Sequence, residues 1–168
     1  LLVQAEHIPV HLGSMPAAVA AAIDACGADV APGDQIVVND PYAGGTHLND
    51  ITLVAPVFAD TALLGWAANR AHHADVGGIA PGSMPPDATS LADEAVVIPP
   101  MHIVRGGSHC WSEIESLLRS AAHPSRAVED NLADMGAAVA ACRHGASKLL
   151  ELAAAIGGKD LARCTARL

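Results

Sequence analysis

The chain has 168 residues, nine Lys and Arg against eighteen Asp and Glu for a formal charge of −9, and 51% apolar residues, with only two Trp, one Tyr and one Phe. That length suffices for one domain with a real core, and the alanine-led composition favours closely packed helices over a bulky interior. So acidic a chain lacks the basic face that nucleic acid requires. With no basic amphipathic helix and no uninterrupted apolar run of the ~18 residues a span needs, a membrane is not expected as a partner either.

Leu1 and Leu2 open the chain without Met, a basic stretch or a small-residue cleavage site, which reads as entry in mid-domain rather than as a signal peptide. Cys26, Cys110, Cys142 and Cys164 show no C-x-x-C spacing. They read as free or buried thiols in a reducing, cytoplasmic setting.

In chain order, Ser14 followed by Pro16 predicts a helix N-terminus, and the alanine-rich run that follows predicts a helix to Cys26, ended by Gly27. Pro32-Gly33-Asp34 signals a turn, and the β-branched Gln35–Val38 a buried strand. Ile51–Phe58 and Ala62–Ala68 predict a hairpin turning near Ala59-Asp60-Thr61, with Pro56 restricting its strand to an edge or a bulge. The Gly and Pro pairs of 77–86 predict an ordered loop whose backbone closely approaches something, a ligand being one candidate. Ala95–Ile98 and Met101–Val104 read as short strands, and Gly106-Gly107 closes that section. Ser112–Ala121 predicts one helix. Ser125 opens a longer one, with Val128, Leu132, Met135, Val139, Cys142 and Leu149 at helical spacing, ended by Gly157-Gly158. The fold class is mixed α/β: a single domain over 1–168, with strands and Gly-rich loops in 1–107 and a helical part in 108–168.

Two polar runs, Asn39-Asp-Pro-Tyr-Ala-Gly-Gly-Thr-His-Leu-Asn-Asp50 and Asn69-Arg-Ala-His-His-Ala-Asp-Val-Gly-Gly78, flank an apolar stretch whose one ionisable side chain is Asp60. A hairpin between them carries both runs to one sheet edge, where His47, Asp50, His72, His73 and Asp75 have the chance to converge. Imidazoles with a carboxylate suit a divalent metal that keeps positions open for water or substrate. Asp40, His73 and Asp75 are then available to hold ligand rings or to act as base and acid. Spacing leaves open the plainer alternative of turn chemistry and a surface His-His pair. His7, His11, His102, His109, His123 and His144 read individually as structural or solvent-exposed, with His7 and His11 next in claim because four residues separate them in an apolar segment.

The two runs, together with Gln4-Ala-Glu-His-Ile-Pro-Val-His-Leu-Gly-Ser-Met15, Pro81-Gly-Ser-Met-Pro85, Ile98-Pro-Pro100, Asn131-Leu-Ala-Asp134 and Arg143-His-Gly145, resemble the hydantoinase B/oxoprolinase family over nearly the whole chain. The resemblance implies a B-type subunit working in a hetero-oligomer with an A-type ATP-binding partner on cyclic amides such as 5-oxoproline or hydantoins. Related carboxylases take acetone or acetophenone. It implies a divalent metal (Zn, Mn or Fe) on His47, Asp50 and His72, with Asp40, His73 and Asp75 in supporting catalytic roles. The partner would use ATP to phosphorylate the amide oxygen, and hydroxide from the metal site would open the ring. Family members run to several hundred residues, so the chain resembles a piece proximal to their N-terminus. A shortened product that binds its partner without turnover is the remaining reading.

Overall fold

The computed structural model describes residues 9–157. His7, Gly158 and Cys164, each singled out above, lie outside that range. Helix α1 (Pro9–Cys26) comes first, then strands β1 (Gln35–Val38), β2 (Asp50–Ala59) and β3 (Ala62–His72), and a single helical turn α2 (Leu91–Glu94). Strands β4 (Met101–Arg105) and β5 (Ser108–His109) and helices α3 (Trp111–Ser120) and α4 (Val128–Ile156) complete the order. The strands form one sheet, β3-β2-β1-β4-β5, in which each neighbouring pair is antiparallel. The fold is mixed α/β, as the sequence pattern indicates.

Strand alternation assigns the two faces of the sheet. Ile36 and Val54 pack with Ala22 of α1, joined by Val19 and Trp66. Val37, Leu53 and Ala55 belong to the larger core on the other side, with Ile114 and Leu118 of α3 and Met135, Val139 and Cys142 of α4. The helical part thus shares its core with the strands. Gln35 fixes α4 by donating from Nε2 to the Val139 carbonyl at 3.1 Å, and Asn69 does the same to Ala138 at 2.7 Å. Burial pushes the Cys142 thiol, wedged between α4 and the sheet, up to about 12.

Several elements depart from expectation. The first helix does not start at Ser14; it already includes Pro9, with Pro16 inside it. Pro16 removes one helical hydrogen bond, but His11 and Ser14 are both engaged by the sheet, and these contacts hold the early turns. α1, taken through the following turn to Asp29, is long and apolar enough by length and composition alone to cross a membrane. In the structure it buries His11, Ala18 and Ala22 and packs on the sheet through His11, against Asp50, and Ala22, against Ile36 and Val54. β2 lies between β1 and β3, yet its pairing with β1 stops at Val54, so Pro56 lies where only β3 accompanies it, and the register shifts just beyond, at Val57/Phe58.

Ala95–Ile98 is not a strand. It is an extended segment held partly by a side chain: fully buried Asn39 donates to the carbonyls of Leu48 (2.7 Å) and Val96 (2.9 Å) and accepts from Ile98 N (2.6 Å). Val96 N donates to the Val76 carbonyl at 3.0 Å, and the Asn39 amide to the Ile98 carbonyl at 3.1 Å. Ser125 precedes α4 and accepts from Ala127 N at 3.2 Å.

The close approach predicted for the Gly-rich loop is to the protein's own backbone. A Cβ on Gly77 would lie 2.4 Å from the His123 carbonyl oxygen, and one on Gly78 only 2.1 Å from that of Glu94. Gly78 and Gly82 share nearly the same φ, +89 and +91, but none of the described residues comes within 4 Å of a Cβ at Gly82. Gly82→Ala is therefore expected to cost the ~1–2 kcal/mol of left-handed strain alone, and Gly78→Ala on the order of 3 kcal/mol or more, because backbone must also move. Equal melting temperatures for the two variants would contradict this packing.

Candidate metal centre

Asp50 opens β2 with its side chain fully buried. By the register of the hairpin it faces His72 across the ladder, and two residues on, Thr52 faces Arg70. With the period of two, all four point to the α1 side. His72 Nδ1 is 2.8 Å from Asp50 Oδ1. The other oxygen, Oδ2, gathers the remaining groups. His11 Nε2 of α1 stands 3.2 Å away and His47 Nδ1 3.0 Å away, while Thr46 Oγ1 donates at 2.5 Å and the His47 amide at 3.1 Å. The His47 and His72 rings meet edge to face, with centroids 5.8 Å apart.

The loop that presents His47 is shaped by its neighbours. Asp40 caps the short turn Pro41–Ala43 by accepting from Tyr42 N at 2.9 Å. Gly44 then turns with φ 78, and a Cβ there would lie 2.2 Å from the Ala18 amide nitrogen. The loop backbone therefore rests directly on α1, a contact only glycine permits.

Burial works to raise the Asp50 carboxyl, but hydrogen bonds from Thr46, His72 and the His47 amide, with the nearby His11, outweigh it and bring the group down to about 2. The carboxylate is ionised throughout the physiological range. His47 Nδ1 is buried and makes no hydrogen bond of proper geometry despite its 3.0 Å approach to Asp50. His11, His47 and Asp50 each offer one ligand atom, all within 4.8 Å of one another. Imidazole nitrogens and a carboxylate oxygen at that spacing fit a divalent cation.

The structure thus brings together His47, Asp50 and His72 and adds His11. It places the other candidates elsewhere. His73 follows His72 and so takes the opposite face, where its Nδ1 meets Asn131 Oδ1 of α4 at 2.8 Å. Asp75 grips Arg126 through both oxygens (2.6 and 2.9 Å) and accepts from Gly77 N at 2.8 Å. Asp40 serves the turn already described. Sequence reasoning ranked His11 second and gave Thr46 and Arg70 no role. The available signals were a histidine in an otherwise apolar segment and a charged residue inside the polar run.

A three-layer mixed α/β fold with a buried carboxylate ringed by imidazoles defines a protein with the donor set of a divalent-cation centre. The chain belongs to the hydantoinase B/oxoprolinase family, whose family model matches residues 1–168, as its motifs indicate. It is 39% identical over 160 residues to 5-oxoprolinase 1 of Arabidopsis thaliana, covering 90% of this chain and 13% of that protein. It is 32% identical over 168 residues to the caprolactamase subunit beta of Pseudomonas jessenii, covering 100% and 28%. The crystal structure of the ATP-dependent caprolactamase from that organism matches with a TM-score of 0.86 at 31% identity, over 99% of this chain and 28% of that one. Nucleotide-free acetone carboxylase matches at 0.78 and 25% identity, over 93% and 20%. The chain spans less than a third of the length of these relatives.

A carboxyl held near 2 in the folded state, against an ordinary 3.8, contributes stability that is complete well above pH 3.8 and is lost as the pH falls through 3.8 toward 2. In chelator-treated protein, the difference in unfolding free energy between wild type and Asp50→Asn is expected to narrow between about pH 5 and pH 2. Urea titrations at several pH values measure it, and a flat difference would mean that the folded state does not depress this group.

Proposed function

We propose that this chain provides the metal-dependent hydrolytic site of a cyclic amidase. It would open a lactam-type ring, 5-oxoproline or a hydantoin, after an A-type subunit has activated the amide by phosphorylation with ATP. The observation that carries the reading is the buried Asp50 carboxylate with His11, His47 and His72 around it, set within the motifs of a family that includes ATP-dependent ring-opening enzymes. The reading places the protein in the cytoplasm, as part of a hetero-oligomer.

In this reading His47, Asp50 and His72 hold the cation, as the motifs imply, and His11 joins them from α1. A divalent cation there would lower the pKa of bound water toward ~7 and so supply hydroxide at neutral pH. Asp50 keeps its charge, so it offers an anionic ligand at any working pH. His72 sits on the second carboxylate oxygen with its side chain 45% exposed, so it reaches the site from the solvent side. Asp40 keeps a supporting role through the His47 loop. His73 and Asp75 support the site from the α4 side, where they fix the end of β3.

The same residues are compatible with a carboxylase reading, favoured by the match to acetone carboxylase, in which the site would handle an activated ketone. Elemental analysis is expected to find about one divalent metal per wild-type chain and markedly less in His11→Ala, His47→Ala, Asp50→Ala and His72→Ala. Equally low metal in wild type and variants would remove the assignment. With the ATP-binding subunit present, turnover of 5-oxoproline or a hydantoin without bicarbonate supports the amidase, whereas ketone turnover that requires bicarbonate supports the carboxylase.

A further inference from the structure

Arg70 is 7% exposed, and a guanidinium so buried is costly unless its donors are used and a counter-charge is near. Burial pulls its pKa down and the Asp50 charge opposes that pull. Its donors reach three different elements. Nε donates to Thr52 Oγ1 at 2.7 Å, Nη1 to Ser14 Oγ, and Nη2 to the Gly44 carbonyl at 3.2 Å.

Each acceptor lies on an element that carries a member of the cluster. Thr52 is two residues beyond Asp50 on the same face of β2. Ser14 is one turn beyond His11 on α1 and passes the link on by donating to the His11 carbonyl at 3.3 Å. Gly44 belongs to the loop that presents His47, and Arg70 itself stands two residues before His72 on β3. We propose that Arg70 is a positioning residue for the metal site, the joint that holds α1, the loop and the two strands so that His11, His47, Asp50 and His72 meet. This rests on the metal-binding reading above.

The planar fork is what the task requires. An arginine directs fixed donors at several acceptors at once, whereas a lysine offers one compact ammonium on a flexible stem. Lysine therefore keeps the charge and loses the joint.

The test uses the intact protein and Co²⁺ as the probe. Arg70→Lys and Arg70→Met are expected to keep the wild-type circular dichroism while binding Co²⁺ roughly tenfold to a hundredfold more weakly, with altered visible absorption bands. A residue that only stabilised the fold would lower the melting temperature and leave those bands in place. Wild-type affinity and bands in a folded Arg70→Lys overturn the proposal. If the Arg70 variants do not fold, Ser14→Ala carries the test, because it cuts one link and leaves the guanidinium; several-fold weaker Co²⁺ binding supports the proposal and unchanged binding overturns it. Wild-type protein that binds no more Co²⁺ than His47→Ala overturns the metal reading, and this inference with it.

Discussion

A carboxylate sealed from water has to be surrounded by donors, and the α1 side of the sheet is arranged to meet that demand at Asp50. The register of the β2–β3 hairpin supplies His72, the loop before β2 supplies Thr46 and His47, and α1 supplies His11. None of these elements alone surrounds the charge. The arrangement therefore couples the docking of α1, the path of the loop and the pairing of the hairpin. A change that frees any one of them exposes or strands a buried anion, which is among the more expensive faults a fold can carry.

The opposite face explains why the end of β3 stays in place. His73 and Asn49 exchange backbone and side-chain hydrogen bonds, with His73 N donating to the Asn49 carbonyl at 2.8 Å and Asn49 Nδ2 to the His73 carbonyl at 2.7 Å. Asn131 of α4 donates to the Asp75 carbonyl at 2.7 Å, and Ser125 donates to the same oxygen at 2.8 Å. Arg126 closes the group through its paired contacts with Asp75 and a further donation to the Gly78 carbonyl at 2.9 Å. A strand terminus would ordinarily fray. Here the residues just past His72 are tied to α4, so the imidazole on the other face is held by a strand that cannot easily peel away. The second polar run thus serves two faces at once: His72 belongs to the site and His73 to its foundation.

The hairpin, the long helix and the polar ends of the strands were legible in the sequence because each rests on a local pattern: alternation, helical period or turn residues. The hairpin pattern brought His47, Asp50, His72, His73 and Asp75 to one end of the sheet without choosing among them. The family resemblance singled out His47, Asp50 and His72, and the structure sends His73 and Asp75 to the α4 side. What was not legible depends on contacts between distant parts of the chain. Pro16 and Ser14 carry the local marks of a helix start, and only the engagement of His11 and Ser14 by residues some forty to sixty positions away explains why the helix runs through them. The glycines at 77 and 78 announce a close approach without saying to what; the partners are the carbonyls of His123 and Glu94. Ala95–Ile98 has the composition of a strand, but two of its backbone groups, Val96 O and Ile98 N, pair with the side chain of Asn39 and Val96 N pairs with the Val76 carbonyl, which no periodicity reveals.

The scarcity of large side chains follows from the same geometry. An imidazole on a helix reaches a carboxylate at the edge of a sheet only if helix and sheet lie close together. Here Ala18 and Ala22 of α1 are both fully buried, and Ala22 packs on Ile36 and Val54 of the sheet. Gly44 lets the loop touch the α1 backbone at Ala18. A leucine in place of either alanine would hold the helix away and lengthen the 3.2 Å approach of His11 to Asp50. The alanine-rich composition is thus a condition of the site as much as of the core: small residues set the distance, Arg70 and Thr52 fix the alignment, and the histidines can then meet the carboxylate.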